Sequence, residues 1–167
     1  MFSGKTSKLL DLYKQYTFCN MKVAVINHID DIRYHTTLMS THDQQMIPCI
    51  QTNLLSDLTT SVEVIDSNIV LINEAQFFSD LFTFVETMLQ SGKRVYVAGL
   101  DGDFKRKRFG QILDLIPICD KVTKLTSLCS QCKNGTPGIF SKRLTDENGQ
   151  TVIGSTNYIP VCRACYN

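Results

Sequence analysis

Two cysteine pairs, Cys129-Ser-Gln-Cys132 and Cys162-Arg-Ala-Cys165, stand 29 residues apart in the last quarter of a 167-residue chain. Each C-x-x-C knuckle can turn two sulfurs toward one tetrahedral ion. Four thiolates around a single zinc leave no position for a substrate water, so the chemistry they offer is structural. Two disulfides or four inert thiols are the bland alternative, against which the doubled spacing argues, and a redox C-x-x-C normally stands alone. The other three of the seven cysteines, Cys19, Cys49 and Cys119, are scattered singly among apolar or mixed neighbours and are expected to be small buried hydrophobes. In a reducing compartment a metal explains the paired four better than disulfides do.

At the other end, Ser3-Gly4-Lys5-Thr6 opens a helical pattern with the last four positions of a phosphate-binding loop. In the full G-x-x-x-x-G-K-[ST] motif, backbone N–H groups and the helix N-terminus cradle phosphate oxygens. The lysine reaches the β/γ-phosphates and the hydroxyl reaches Mg²⁺. Here the first glycine and its feeding strand would fall before Met1, and an ordinary helix start is the competing reading. Asn73-Glu74 closes an apolar run, where a P-loop enzyme carries an acidic residue that helps to hold Mg²⁺. Asn73 keeps the hydrogen-bonding shape and drops the charge. Glu74 is a carboxylate suited to taking a proton from an attacking hydroxyl, although a strand-end glutamate taken alone more often faces solvent. The basic run Lys105-Arg-Lys-Arg108, between Phe104 and Phe109, is expected to be a solvated face. His28, His35 and His42 lack metal-ligand spacing to the cysteines and receive no catalytic role.

These residues need a scaffold. Residues 5–19 carry Leu9, Leu10, Leu12, Tyr13, Tyr16 and Phe18 at roughly helical spacing, with Lys8, Asp11, Lys14 and Gln15 opposite. Residues 22–27 read as a short β-branched strand, and residues 30–51 as a long polar, loop-like connection. Residues 62–65 and 68–73 are dense apolar runs, the second continuous enough for a strand buried on both faces of a parallel sheet. A helix is expected over residues 77–91, ended by Gly92, followed by a strand over 94–98. The pattern is α/β, with ligands beyond the carboxyl ends of the strands, which sets Asn73-Glu74 and residues 99–103 on one rim. From Asp120 onward, cysteine pairs, glycines and prolines replace long apolar elements, which marks a subdomain boundary near residues 120–128.

Bulk properties narrow the function. With 43% hydrophobic residues the chain holds one main core and a small appendage. Lys+Arg 17 against Asp+Glu 16 leaves a net charge of +1, so no general attraction to nucleic acid or a membrane surface is built in. No apolar run has the length of a membrane span, and the polar stretch after Phe2 is no signal peptide. A cytoplasmic protein with no nucleic-acid or membrane partner is expected.

In sequence order the motifs resemble the type II thymidine kinases, cellular and large-DNA-virus enzymes that transfer the ATP γ-phosphate to the 5′-hydroxyl of thymidine. The phosphate loop ends M-F-S-G-K-[ST], as Met1 to Thr6 do. Asp31-Ile-Arg-Tyr34 and Thr41-His-Asp43 match D-x-R-Y and T-H-D. Asn73-Glu-Ala-Gln-Phe-Phe78 matches D-E-x-Q-F-F, and Leu100-Asp-Gly-Asp-Phe-Lys-Arg-Lys-Arg-Phe109 matches L-D-G-x-F-x-R-K-x-F. The stretch from Lys124 to Cys132 matches K-L-T-x-x-C-x-x-C, Phe140 to Leu144 is F-S-K-R-L, and Tyr158 to Tyr166 matches the final Y-x-x-V-C-R-x-C-Y.

The resemblance implies a P-loop-type, mostly parallel sheet with helices over residues 1–125 and a small zinc-ribbon or lasso subdomain over 126–167. It implies that Met1, Phe2, Ser3, Gly4, Lys5 and Thr6 bind the phosphates of ATP, with Thr6 on Mg²⁺. Asp31, Arg33, Asn73 and Gln76 would line the phosphate side, and Glu74 would be the general base. Met1, Phe77, Leu100, Phe104 and Phe109 would wall the base pocket, with Ser141 beside the thymine. Gln150, Thr151, Val152, Ile153, Gly154 and Tyr158 would belong to a lasso that closes over the nucleoside. Cys129, Cys132, Cys162 and Cys165 would hold structural Zn²⁺, and the assembly would be a homotetramer.

Three departures from the family pattern shape the expectations. The residues that normally precede Met1 are absent, as in an N-terminally truncated product. Asn73 replaces an aspartate, and the stretch between Gly154 and Tyr158 is one residue short. The functional readings are, in order, an active thymidine kinase, a degenerate relative with weak catalysis, and a zinc-ribbon nucleic-acid-binding protein, which the near-neutral charge disfavours.

Overall fold

The structure is a computed structural model and describes residues 2–30, 38–40, 46–145 and 157–167. Helix α1 (Lys5–Phe18) leads into strand β1 (Val23–His28). A short antiparallel pair follows, β2 (Leu38–Ser40) and β3 (Met46–Pro48), and then β4 (Ile50–Thr52). Next come the one-turn helix α2 (Val62–Ile65), β5 (Ile69–Ile72), α3 (Leu81–Gln90) and β6 (Arg94–Val97). Strands β4-β1-β5-β6 form a four-stranded sheet, every neighbouring pair parallel, as the α/β pattern predicts.

Each β5 residue is fully buried, and alternate side chains enter different cores. Ile69 and Leu71, with Val25 of β1, pack against Leu9 and Leu10 of α1 and against Met39 and Ile47 of the β2–β3 pair. Val70 and Ile72, with Ala24 and Ile26, pack against Val64, Phe78, Leu81, Phe84, Val85 and Met88. A sheet covered on both faces needs apolar side chains in both directions, which explains the unbroken run that marked this strand in the sequence. Each such Val, Leu or Ile stabilises the fold by about 1.5–3 kcal/mol.

The expected helix after β5 begins later than residue 77. Ala75–Phe77 is a 3₁₀ turn, and Phe78 leaves it in an extended conformation, 1% exposed beneath the sheet. The helix proper starts only after Asp80, whose carboxylate accepts the backbone N–H groups of Leu55 and Ser56 at 3.2 and 2.8 Å rather than capping its own helix. Its far end is as expected. Gly92, at φ 73, lets its N–H reach Leu89 O at 2.9 Å while Lys93 N–H reaches Met88 O at 3.1 Å.

Two further expectations are corrected, and one unassigned run gains an element. The segment over residues 30–51 is not all loop, since β2, β3 and the start of β4 fall in it. At three residues each, these strands are too short to show a period. The apolar run at 62–65 is helical, capped by Ser61 Oγ accepting from Val64 N at 3.3 Å, and it buries only Val64. Cys19 and Cys119 are exposed and Cys49 is half-buried, because the first two cap the ends of α1 and of a 3₁₀ segment (Ile112–Ile118) instead of entering a core.

The C-terminal part is built from two small antiparallel pairs, β7 (Ser127–Leu128) with β8 (Pro137–Gly138) and β9 (Phe140–Arg143) with β10 (Tyr158–Val161), closed by α4 (Arg163–Tyr166). Its core is Cys129, Val161 and Cys162, with Cys132, Phe140, Ile159, Cys165 and Tyr166 around them. Among the described residues no helix is long and apolar enough to cross a membrane.

Candidate active site and cysteine cluster

The carboxyl ends of β1, β5 and β6 gather the candidate residues. Glu74 follows β5 after Asn73 and holds a left-handed backbone, φ 49 and ψ 39. For a residue with a Cβ this costs about 1–3 kcal/mol, a strain that concentrates at functional positions. The side chain is 9% exposed, and its Oε2 accepts from Gln76 Nε2 at 2.7 Å. Gln76 is itself buried, and its Oε1 accepts the backbone N–H of Leu100 at 2.9 Å. The loop after β6 is thus tied to the base candidate, as the rim argument requires.

Phe77 turns from this 3₁₀ segment onto two aromatic neighbours. Phe109 meets it edge-on, centroids 5.6 Å apart and planes at 89°, and His28 lies tilted against it at 5.3 Å. His28 is buried at the end of β1, also touches Phe78 edge-on, and accepts the Asp30 N–H on Nδ1 at 3.2 Å. The histidine dismissed on spacing therefore supports the aromatic wall.

Phe104 joins the wall to the C-terminal hairpin. The Arg143 guanidinium lies 3.6 Å from its ring centroid, and the same group donates from Nε to the Tyr158 hydroxyl at 3.1 Å and from a terminal nitrogen to that hydroxyl too. Tyr166 donates its hydroxyl to the Phe104 carbonyl at 2.5 Å. Arg143 and Tyr158 are cross-strand partners on β9 and β10, as are Ser141 and Pro160, so one hairpin presents Ser141, Arg143 and Tyr158. Arg143 was not singled out from the sequence, although it lies inside F-S-K-R-L. The basic run is only partly a solvated face: Arg106 stacks on Tyr166 at 4.3 Å and Arg108 pairs with Asp114.

At the N-terminus Gly4, at φ 77, sets the start of α1, and its carbonyl accepts Lys8 N–H at 2.9 Å. Ser3, Lys5 and Thr6 stand around that helix start, and Phe2 precedes it with 44% exposure. Met1, Asp31, Arg33 and residues 150–154 lie outside the described residues. Asn73 is 1% exposed. Its Nδ2 donates to Asn27 Oδ1 at 2.9 Å, and its own Oδ1 is buried without a hydrogen-bond partner among the described residues.

The four cysteine sulfurs all lie within 4.8 Å of one another, with Cys132 Sγ 3.7 Å from Cys162 Sγ and 3.4 Å from Cys165 Sγ. Zinc–sulfur bonds of about 2.3 Å in a tetrahedron set sulfurs about 3.8 Å apart, so the cluster can hold a metal such as zinc. Backbone positions favour this too. The Cys132 N–H, with help from that of Cys162, holds the Cys129 thiol down to about 6, while hydrogen bonding with Cys165 and Cys129 pushes Cys132 up to about 12. A metal bound by these four sulfurs would displace their protons.

The thymidine kinase family profile matches residues 1–166. The thymidine kinase of sheeppox virus is 40% identical over 99% of this chain and 92% of its own length. Thymidine kinase 1 of Dictyostelium discoideum is 37% identical over 100% of this chain and 74% of its own, and the cytosolic thymidine kinase of Gallus gallus 38% over 99% and 73%. The chain belongs to the thymidine kinase family.

Proposed function

We propose that this chain transfers the γ-phosphate of ATP to the 5′-hydroxyl of thymidine, giving thymidine monophosphate. The observation that carries the reading is Glu74, a nearly buried carboxylate on a strained backbone at the carboxyl end of β5, beside the Phe77–Phe109 wall. A carboxylate there can accept the hydroxyl proton as the nucleophile attacks. Phe77, Leu100, Phe104 and Phe109 enclose the thymine, with Met1, Ser141 and Tyr158 completing the pocket. In this reading Gln150, Thr151, Val152, Ile153 and Gly154, which lie outside the described residues, would bind the thymine through backbone groups, whose donor and acceptor pattern rejects a base with the opposite one.

Ser3, Gly4, Lys5 and Thr6 take the phosphates, next to Met1 and Phe2, with Asp31, Arg33 and Gln76 on the same side. Phosphoryl transfer depends mostly on positioning and charge neutralisation, so Lys5 and Arg33 matter as much as the base. The Asn73 oxygen, without a hydrogen-bond partner among the described residues, fits Mg²⁺ bound through water, because it is an acceptor in want of a donor. Thr6 and Asn73 would hold that ion, which supplies charge neutralisation between the phosphates when bound.

Residues 1–125 form the nucleotide-binding unit and 126–167 the zinc-held lasso unit, with Zn²⁺ on the four cysteines as a clamp at both ends of residues 133–161. The protein works in the cytoplasm as a homotetramer. Exposed apolar side chains at Ile116, Ile118 and Val122 offer a surface for such an assembly to bury. A second reading, a relative that binds nucleosides with weak catalysis, is favoured by one observation, the uncharged Asn73 in place of a carboxylate. An assay of ATP-dependent thymidine phosphorylation, run on the parent and on Glu74→Gln, separates the two.

A further inference from the structure

The peptide group between Phe104 and Lys105 is held at both ends. Its N–H donates to Asp103 Oδ1 at 2.8 Å, and its carbonyl accepts the Tyr166 hydroxyl at 2.5 Å, 62 residues further along the chain. The inner hold is local. Asp103 is buried, and the same oxygen takes the Lys107 N–H at 2.9 Å while the Asp103 N–H reaches the Lys107 carbonyl at 2.8 Å, closing a tight turn over residues 103–107. Arg106 within that turn has φ 62, a conformation that a residue with a Cβ keeps only when its surroundings hold it there. The outer hold comes from the C-terminal part. Tyr166 ends α4, with its N–H on the Cys162 carbonyl at 3.0 Å and its ring edge-on to Phe140 at 5.3 Å. The Arg106 guanidinium stacks on that ring at 4.3 Å.

We infer that Tyr166 is a positioning residue of the thymine pocket: from the turn that carries Cys162 and Cys165, its hydroxyl fixes the Phe104–Lys105 peptide plane and with it the direction of the Phe104 ring. The inference rests on Phe104 walling the base. A planar peptide group turns as one body, so holding its N–H and its C=O also holds the Cα that carries the Phe104 side chain. Asp103 alone secures only the N–H end. Arg143 then stacks 3.6 Å from the centroid of a ring that is already aimed. A wall that had to be aimed each time a nucleoside bound would lower affinity and leave the chemistry untouched.

The test uses the full chain and Tyr166→Phe, which keeps the ring and its neighbours Phe140 and Arg106 and removes only the hydroxyl. Thymidine binding, measured by calorimetry without ATP, is expected to weaken about fivefold, roughly the effect of one lost hydrogen bond. kcat at saturating thymidine and KM for ATP should stay within about twofold, the pattern of binding lost equally from ground and transition states. Metal content should equal that of the parent. In a double-mutant cycle with Phe104→Ala the effect of Tyr166→Phe should vanish, because no ring is left to aim.

Unchanged thymidine affinity in Tyr166→Phe would overturn the inference. So would an undiminished effect in the Phe104→Ala background, or a loss of metal, since either makes Tyr166 a support of the C-terminal part alone. Should Tyr166→Phe fail to fold, Arg106→Gln carries the measurement. It bares one face of the Tyr166 ring, leaves the hydroxyl and puts a residue of similar backbone cost at φ 62; weakened thymidine binding is expected there, and parent affinity would overturn the inference. Phe104→Ala alone tests the pocket reading: unchanged thymidine binding in it would remove Phe104 from the pocket and the inference with it, a result distinct from failure of Tyr166.

Discussion

Asn73 donates its side-chain amide to Asn27 Oδ1 at 2.9 Å across two parallel strands, leaving its own carbonyl oxygen buried without a partner among the described residues. A buried acceptor in that state costs about 1–3 kcal/mol unless something donates to it. If a metal-bound water is that donor, Asn73→Asp should strengthen the interaction by adding a charge. The Mg²⁺ concentration giving half-maximal thymidine phosphorylation is expected to fall several-fold, roughly what one nearby charge contributes in a partly buried site. An unchanged Mg²⁺ requirement would remove Asn73 from the metal side.

The cysteine cluster predicts one zinc per chain, measurable by elemental analysis of purified protein. Cys162→Ser should abolish that stoichiometry, lower the melting temperature and weaken thymidine binding, because the proposed ion would gather both ends of residues 133–161. Lost stability with unchanged thymidine affinity would contradict the clamp.

Arg143 connects Phe104 to Tyr158 by stacking on one ring and donating to the other's hydroxyl. A lysine has neither the planar face nor the fork, so Arg143→Lys should raise KM for thymidine severalfold with little change in KM for ATP, an effect of about 1 kcal/mol. Equal KM values in the two proteins would show that the bridge does not shape the pocket.

Much of this arrangement is legible in sequence where one residue type repeats. β1, β5 and β6 follow from their β-branched runs, and the cysteine cluster from two C-x-x-C pairs. The cap at Gly92 follows from a glycine after a helical period. What escaped is tertiary. The strands β2, β3 and β4 are three residues long and exist because partners pair with them. Helix α3 starts late because Phe78 is drawn into the core instead of continuing the turn. Neither His28 against Phe77 nor Gln76 against Glu74 leaves a periodic signal. Only the spacing Glu74-Ala-Gln76, which a motif preserves without explaining, pointed toward the second.

Asp101 gives a pH prediction. Burial pushes its carboxyl up, but the hydrogen bond and charge of Lys124, 2.5 Å away, outweigh burial and leave it below the usual range. A depressed carboxylate contributes stability above its unfolded value, about 3.9, and loses that contribution as pH falls through its folded value. Both side chains are more than half exposed, so screening limits the pair to under about 1 kcal/mol. Asp101→Asn should melt slightly below the parent at pH 7, with the gap closing as the pH drops toward 3. A gap that widens on acidification would contradict the assignment.

The central claim, that Glu74 takes the proton from the thymidine hydroxyl, is met most directly by single-turnover phosphorylation of thymidine with ATP in the parent and in Glu74→Gln. The account predicts activity in the parent and a loss of about 10²- to 10⁴-fold in the variant, with thymidine still bound. Equal rates in the two proteins would contradict it.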